Sequence, residues 1–185
     1  MTALGIATRP ARNESANGDR AVHLVDGDTV VFGVIDGLGH GPKAEEAALT
    51  ALAALARAPK RDVSSLFDAT HAALRGTRGA AMTLVVVRGA LCEAIGVGNV
   101  ALRVRHVRGL SLASTPGVVG GQMRTLRVAR GQIERGARLA IFSDGISSRA
   151  PLDEYEDEAP EKAARRVLAD HALEHDDATI LIADL

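Results

Sequence analysis

Acidic residues stand at the ends of four apolar, strand-like runs in this chain, each beside a glycine or a second acid. Asp36 closes the β-branched run Thr29–Ile35 and opens Asp36-Gly37-Leu38-Gly39-His40-Gly41. Asp144 follows the run Arg138–Phe142 within Ser143-Asp144-Gly145, which repeats the device. Asp176-Asp177-Ala178-Thr179 leads into Ile180–Ala183, and Asn17-Gly18-Asp19 leads into Arg20–Val25. No Cys or His cluster accompanies these acids, so the donor set is hard oxygen, which suits Mg²⁺ or Mn²⁺ and disfavours zinc or copper. Two such ions a few ångströms apart can share one carboxylate and lower the pKa of a water between them, chemistry that serves in-line attack on phosphorus.

Other chemistries fit less well. Asp36 and its glycines taken alone read equally well as a turn that merely closes a strand, and Asp19 taken alone reads as a solvated loop acid. The second strand–Asp–Gly unit at Asp144 is harder to dismiss. A Walker loop needs Gly-Lys-Ser/Thr, whereas Gly41 is followed by Pro42, Lys43 and Ala44. A dinucleotide fingerprint needs GxGxxG, and Gly37, Gly39 and Gly41 give GxGxG. Neither Ser143 nor Ser147 sits in a nucleophile elbow.

The elements that must position these acids follow from pattern. Residues 3–8 read as a first strand and Ala11–Asp19 as a polar loop. The turn Asp26-Gly27-Asp28 predicts a hairpin between Arg20–Val25 and Thr29–Ile35, and that pairing brings Asp19 and Asp36 to one rim. Pro42–Ala58 predicts a helix with proline at its start, acids in its first turn and Arg57 in its last. A second helix starts at Asp62 as N-cap, with Val63, Leu66, Phe67, Thr70 and Leu74 on one face. Strands are expected at Met82–Val87, Leu91–Val97, Val100–Val107, Gln122–Ala129 and Ala137–Phe142, a loop at Ser111–Gly121, and a third helix at Pro160–Leu173. The acidic stretch Asp153–Glu158 reads as a solvated face, with metal capture a distant second reading. An antiparallel partner for the Asp144 strand in Ile180–Ala183 places Asp176 at the same rim. Helices grouped apart from a run of strands, without βαβ alternation, indicate an α+β fold with mainly antiparallel sheet.

Composition bounds the rest. With 185 residues the chain suits one domain, residues 1–185, with a sizeable core. Aromatics are 2%, so that core must be built from Ala, Val, Leu and Ile. A net charge of −1 argues against a nucleic-acid partner held by bulk electrostatics. The single cysteine, Cys92, excludes an internal disulfide and fits a reducing, cytoplasmic setting. The sequence shows no signal peptide and no apolar run of membrane-spanning length, so no membrane association is expected.

The three motifs at Asp36–Gly41, Ser143–Gly145 and Asp176–Thr179, with Asn17-Gly18-Asp19 ahead of them, resemble the metal motifs of PPM-type, metal-dependent serine/threonine protein phosphatases. They are most similar to the SpoIIE-like bacterial branch, in order and over essentially the whole chain. The resemblance implies two packed antiparallel β-sheets flanked by α-helices, with two Mn²⁺ or Mg²⁺ at one edge. It implies that Asp36 bridges the ions, that the Gly37 carbonyl ligates one, that Asp144 and Asp176 complete the other, and that Asp19 serves the first. Asp177 is then expected to hydrogen-bond the loop. Gly18 stands where many members have glutamate, and Leu38 where eukaryotic members have histidine, which leaves His40 as the candidate general acid with a structural duty equally open. Glu14 falls near the place of their phosphate-gripping arginine, with Arg12 and Arg20 the arginines at hand.

The compact form resembles that of the stressosome feedback phosphatases, which act on phosphorylated STAS-domain proteins. That likeness implies such a protein as substrate; with no clear phosphate-gripping arginine and little aromatic surface, its docking is expected on the Gly-rich Ser111–Gly121 or the acidic Asp153–Glu158. A PPM-fold binding module in sigma-factor regulation that has lost catalysis is the alternative, and it requires a damaged metal set. An anti-sigma-kinase type of ATPase requires an Asn box and DxGxG, and Asp36-Gly37-Leu38 fails the latter.

Overall fold

The computed structural model describes residues 2–185. Eight strands form in chain order: β1 (Ala3–Arg9), β2 (Asp19–Asp26), β3 (Thr29–Gly37), β4 (Ala80–Arg88), β5 (Leu91–Val97), β6 (Ala101–Arg108), β7 (Ala129–Phe142) and β8 (Ala178–Asp184). Helices α1 (Pro42–Arg57) and α2 (Val63–Ala73) separate β3 from β4, and α3 (Pro160–His171) precedes β8. Every strand pairing is antiparallel. The α+β class read from the sequence is the observed one. No helix among the described residues is long and apolar enough to cross a membrane.

Hydrogen bonding joins the strands in the order β1-β8-β7-β5-β4-β3-β2, with β6 on β7. The two packed antiparallel sheets expected are here two packed halves of one continuous hydrogen-bonded ladder. Its fold line is β7, a strand of 14 residues. Residues Ala129–Gln132 of β7 pair with β5, while Arg138–Phe142 lie between β6 and β8. Between these halves the β6–β7 register shifts, and His106 takes φ 52°, a bulge that bends the sheet.

Three apolar clusters fill the resulting layers. Val22, Ile35, Met82, Leu84 and Ile95 face α1 and α2, where Ala47, Ala48, Ala51, Leu55, Leu66 and Phe67 meet them. Phe32, Val34 and Val85 from one half meet Leu139, Ile141 and Leu181 from the other in the middle layer. Ala140, Phe142, Ile180 and Ile182 face Ala163, Ala164 and Val167 of α3. Each fully buried Leu, Ile, Val or Phe contributes roughly 1.5–3 kcal/mol of transfer free energy, so the middle layer holds the two halves together. The alanine-rich face of α1 allows close approach to the sheet, as its composition predicts.

Two expectations fail. Gln122–Ala129 is not a strand: Met123 makes one isolated bridge with Gly117, and Met123, Leu126 and Val128 rest half-buried on the helix-side core. That packing satisfies their apolarity without a partner strand, and the strand instead begins at Ala129 and extends to Phe142. The second, a solvated face at Asp153–Glu158, fails only in part: Asp153, Glu154 and Asp157 are exposed, but the rest of the segment is engaged with the fold. Leu152–Tyr155 forms a 3₁₀ turn with Tyr155 buried, and the segment wraps the guanidinium of Arg138, which donates to Tyr155 O at 2.9 Å and Glu158 O at 2.7 Å. Arg138 also makes a two-pronged pair with Asp184 at 2.6 and 2.8 Å. That pair, through its hydrogen bonds first, raises the Arg138 pKa.

Candidate metal centre

The hairpin turn Gly27-Asp28 sets the β2–β3 register so that Asp19 and Asp36 are direct cross-strand partners. At the facing end of the other half, Phe142 of β7 pairs with Ile180 of β8, and the pairing continues as Ser143 N–H donates to Thr179 O at 3.0 Å. Asp144 therefore leaves β7 at the end where Asp176 enters β8. The fold brings Asp19, Asp36, Asp144 and Asp176 to one rim. Asp36 feels the charges of all three others, and Asp176 feels that of Asp144.

Neighbouring groups hold two of these carboxylates. Ser143 Oγ donates to Asp19 Oδ2 at 2.5 Å and accepts from Thr179 N–H at 3.0 Å, so one buried hydroxyl ties β2 to β7 and β8. Asn99, in the β5–β6 turn, donates to Asp144 Oδ2 at 2.5 Å. Neither residue was assigned this role from the sequence. Ser143 is visible there as the first residue of the Ser143-Asp144-Gly145 motif, and Gly98-Asn99 has the composition of an ordinary turn.

Asp177 takes the other course expected of it. Its Oδ1 accepts from Ala11 N–H and its Oδ2 from Gly18 N–H, both at 2.8 Å, which pins the Ala11–Gly18 loop to the start of β8. A Cβ on Gly18 would lie 2.7 Å from Ala44 Cβ and 2.8 Å from Asp177 Oδ2. Glycine at this position is thus a packing requirement. Arg20 donates to the carbonyls of Asn17 and Asp19 and pairs with Glu45 at 2.8 Å, while Arg12 pairs with Glu174 at 2.6 Å. Both are already engaged. His40, with a side chain 59% exposed, has its Nδ1 3.0 Å from Glu14 Oε1 and no hydrogen bond to the four aspartates.

The electrostatics of the rim are those of charge gathered without compensation. Burial, followed by the charges of Asp19, Asp144 and Asp176, raises Asp36 to about 9. Burial also raises Asp19 to about 7, against the opposing hydrogen bond from Ser143. Desolvation and then the Asp144 charge push Asp176 upward. Asp19 is 1% exposed and its Oδ1 has no hydrogen-bond partner. As the side chains stand, no three His, Cys, Asp or Glu among the described residues converge on one point in ligating geometry. Oxygen donors that repel one another, one with a buried unpartnered lone pair, are suited to a hard divalent cation.

No protein-family model matches the sequence, and no curated protein matches it. Solved structures do. A chain from work on the bacterial stressosome, described as a modular system adapted to control secondary messenger signalling, is 30% identical over 99% of each chain, with a TM-score of 0.93. RsbX in complex with magnesium is 19% identical over 100% of this chain and 95% of its own, with a TM-score of 0.84. The PP2C phosphatase domain of SpoIIE from Bacillus subtilis, with a regulatory fragment, is 17% identical over 100% of this chain and 63% of its own, with a TM-score of 0.79. The protein accordingly belongs to the family of the 30%-identical stressosome chain, and its fold is that of the PP2C-type phosphatases.

Proposed function

We propose that the protein is a metal-dependent protein serine/threonine phosphatase, acting as one domain over residues 1–185, whose substrate is a phosphorylated STAS-domain protein of bacterial stress signalling. The observation that carries this is Asp36, ringed by Asp19, Asp144 and Asp176 at one rim beside a buried, unpartnered Asp19 oxygen. In this reading Asp36 would be shared between two Mn²⁺ or Mg²⁺, the Gly37 carbonyl and Asp19 would help hold one, and Asp144 and Asp176 would help hold the other. Bound there, such a pair supplies an activated water and charge neutralisation for in-line attack on a phosphomonoester.

The chain's own groups then do the positioning. Ser143 orients the Asp19 carboxylate, Asn99 orients that of Asp144, and Asp177 fixes the loop that delivers Asp19. Groups of this kind typically matter 10–100-fold in metal affinity or activity. His40, paired with Glu14, stands at the loop after Asp36 as the candidate proton donor to the leaving serine or threonine oxygen. The alternative, a binding module with a damaged metal set, had Gly18 as its one motive, and Gly18 has a packing reason instead.

Two findings support a stress-signalling protein as substrate: the 30%-identical stressosome chain, and the loop at Ser111–Gly121. Thr115 N–H donates to Gly96 O at 2.8 Å and Gly98 N–H donates to Thr115 O at 3.0 Å, so this loop borders the Asn99 turn at the carboxylate rim. The second docking candidate, Asp153–Glu158, keeps Asp153, Glu154 and Asp157 exposed while Glu156 pairs with Arg105. Remote contacts of a folded substrate raise kcat/KM through orientation.

The test is Mn²⁺-dependent phosphate release from a panel of folded phospho-STAS proteins and from phosphopeptides copied from their sites. The folded proteins should be turned over with at least roughly tenfold higher kcat/KM. Equal values remove the docking part, and no turnover of either at saturating Mn²⁺ removes the phosphatase.

A further inference from the structure

We propose that Arg78 anchors the phosphoryl group at the carboxylate rim, an assignment that rests on the phosphatase reading above. Arg78 lies in the link between α2 and β4, where pattern alone shows only a glycine-flanked break, Gly76–Gly79. The β3–β4 register continues past the ends of both strands. Gly37 pairs with Ala80, and Leu38 N–H donates to Gly79 O at 3.1 Å, which brings Arg78 opposite Gly39.

Its guanidinium lies on the bare main chain of the Asp36 loop. Arg78 Nη1 is 3.4 Å from Leu38 O, a marginal contact, and a Cβ on Gly39 would sit 2.9 Å from the same nitrogen. Gly39 has φ +80°, so glycine there serves both the loop's turn and the arginine's seat.

Two further observations give this placement its meaning. Arg78 is exposed and, among the described residues, in no ion pair, whereas Arg12 and Arg20 each hold a carboxylate and Arg9 holds the carbonyls of Pro10 and Leu173. Its base is also held firmly. Thr77 Oγ1 accepts from Gly79 N–H at 3.0 Å and donates to Leu74 O at 2.7 Å, while Ala80 N–H donates to Val119 O at 3.1 Å. Four aspartates and two dications sum to no net charge, so an arriving phosphate dianion brings charge that the centre itself does not offset. A guanidinium with free N–H groups supplies paired, charge-assisted donors for its non-bridging oxygens.

The experiment measures the affinity of inorganic phosphate for the Mn²⁺-loaded protein by calorimetry, together with Mn²⁺ affinity and kcat/KM on a phosphoserine peptide. Arg78→Ala should weaken phosphate binding roughly tenfold or more and lower kcat/KM to match, with Mn²⁺ affinity unchanged. Arg78→Lys, a point charge without the fork, should recover part of the loss, and millimolar guanidinium should rescue Arg78→Ala. Phosphate affinity unchanged in Arg78→Ala overturns the assignment, as does a parallel loss of Mn²⁺ affinity. Phosphate binding that depends on Arg78 in a protein that hydrolyses no phosphoester keeps the anchor and rejects the phosphatase.

Discussion

Arg138 and Asp19 are both buried charged residues, 8% and 1% exposed, and their surroundings could hardly differ more. Around Arg138 the chain gathers four acceptors for its five N–H groups: both oxygens of Asp184 and the carbonyls of Tyr155 and Glu158. Around Asp19 it gathers more acids, leaves one oxygen without a partner, and lets burial raise the carboxyl to about 7. A buried charge costs several kcal/mol unless it is paired and hydrogen-bonded. The first region meets that condition from within the fold. The second does not, and its cost is accepted at a rim, where an ion can enter. Charge satisfied internally marks architecture, and charge left unsatisfied among oxygen donors marks a place kept for a ligand.

Asp36→Asn is the sharpest way to break this contrast. It should lower Mn²⁺-dependent turnover by more than about 100-fold, beyond what groups that merely orient ligands account for. Without metal it should be more stable than the parent, with a Tm higher by a few degrees, since it removes a carboxylate buried among three others. The pH dependence supplies the sign. Burial first, and then the neighbouring acids, raise Asp36 to about 9 and Asp19 to about 7, well above the ordinary carboxylate range. Their contribution to metal-free stability is therefore full below about pH 4 and is lost as pH rises through 7 and then 9. Thermal unfolding in chelator from pH 5 to 9 should show stability falling with pH, less steeply in Asp36→Asn. A flat profile in the parent would mean that neither burial nor the neighbouring acids disfavour ionisation of Asp36 and Asp19.

Arg138→Ala tests the other region. It strands Asp184 and two carbonyls, and should destabilise the fold by about 3 kcal/mol, the low end for a broken buried pair because Asp184 remains 39% exposed. Turnover per folded molecule should not change. A drop in kcat without loss of Tm would mean that the Arg138 knot communicates with the rim.

Asp144→Ala and Asp176→Ala should each raise the Mn²⁺ concentration needed for activity. The double variant should cost little more than the worse single one, as for residues that act as a unit. Fully additive losses, read from metal titrations of activity, would put the two acids in separate sites. The smallest effect is expected from Ser143→Ala, about tenfold in metal affinity and about 1–2 kcal/mol in stability, because it frees Asp19 and leaves Thr179 N–H without its acceptor. An unchanged metal affinity would make Ser143 a purely structural tie between the halves.

Much of the site was legible because its information is local. A β-branched run that ends in Asp-Gly puts a carboxylate at a strand's end whatever else the chain does, and a two-residue turn at Gly27-Asp28 forces Asp19 opposite Asp36. The helices were legible for the same reason, with Pro42 at the start of α1 and Asp62 accepting from Ser65 N–H at 2.9 Å to cap α2. Fold class followed from the order of those local patterns.

Tertiary structure decided what depends on residues far apart in the chain. The partners of the carboxylates join positions such as Ser143 and Asp19, or Asp177 and Gly18, across more than a hundred residues, and no periodicity encodes such a pairing. The same holds for Arg78, whose place opposite Gly39 depends on β3 and β4 pairing around two intervening helices. The acidic stretch Asp153–Glu158 is solvated at Asp153, Glu154 and Asp157 as its local charge indicates, while the arginines that engage the rest of it, Arg105 and Arg138, come from β6 and β7. Sequence placed the acids at strand ends through backbone geometry. Which of them would be compensated and which left open was decided by the cross-chain packing that brings, or does not bring, a cation to each.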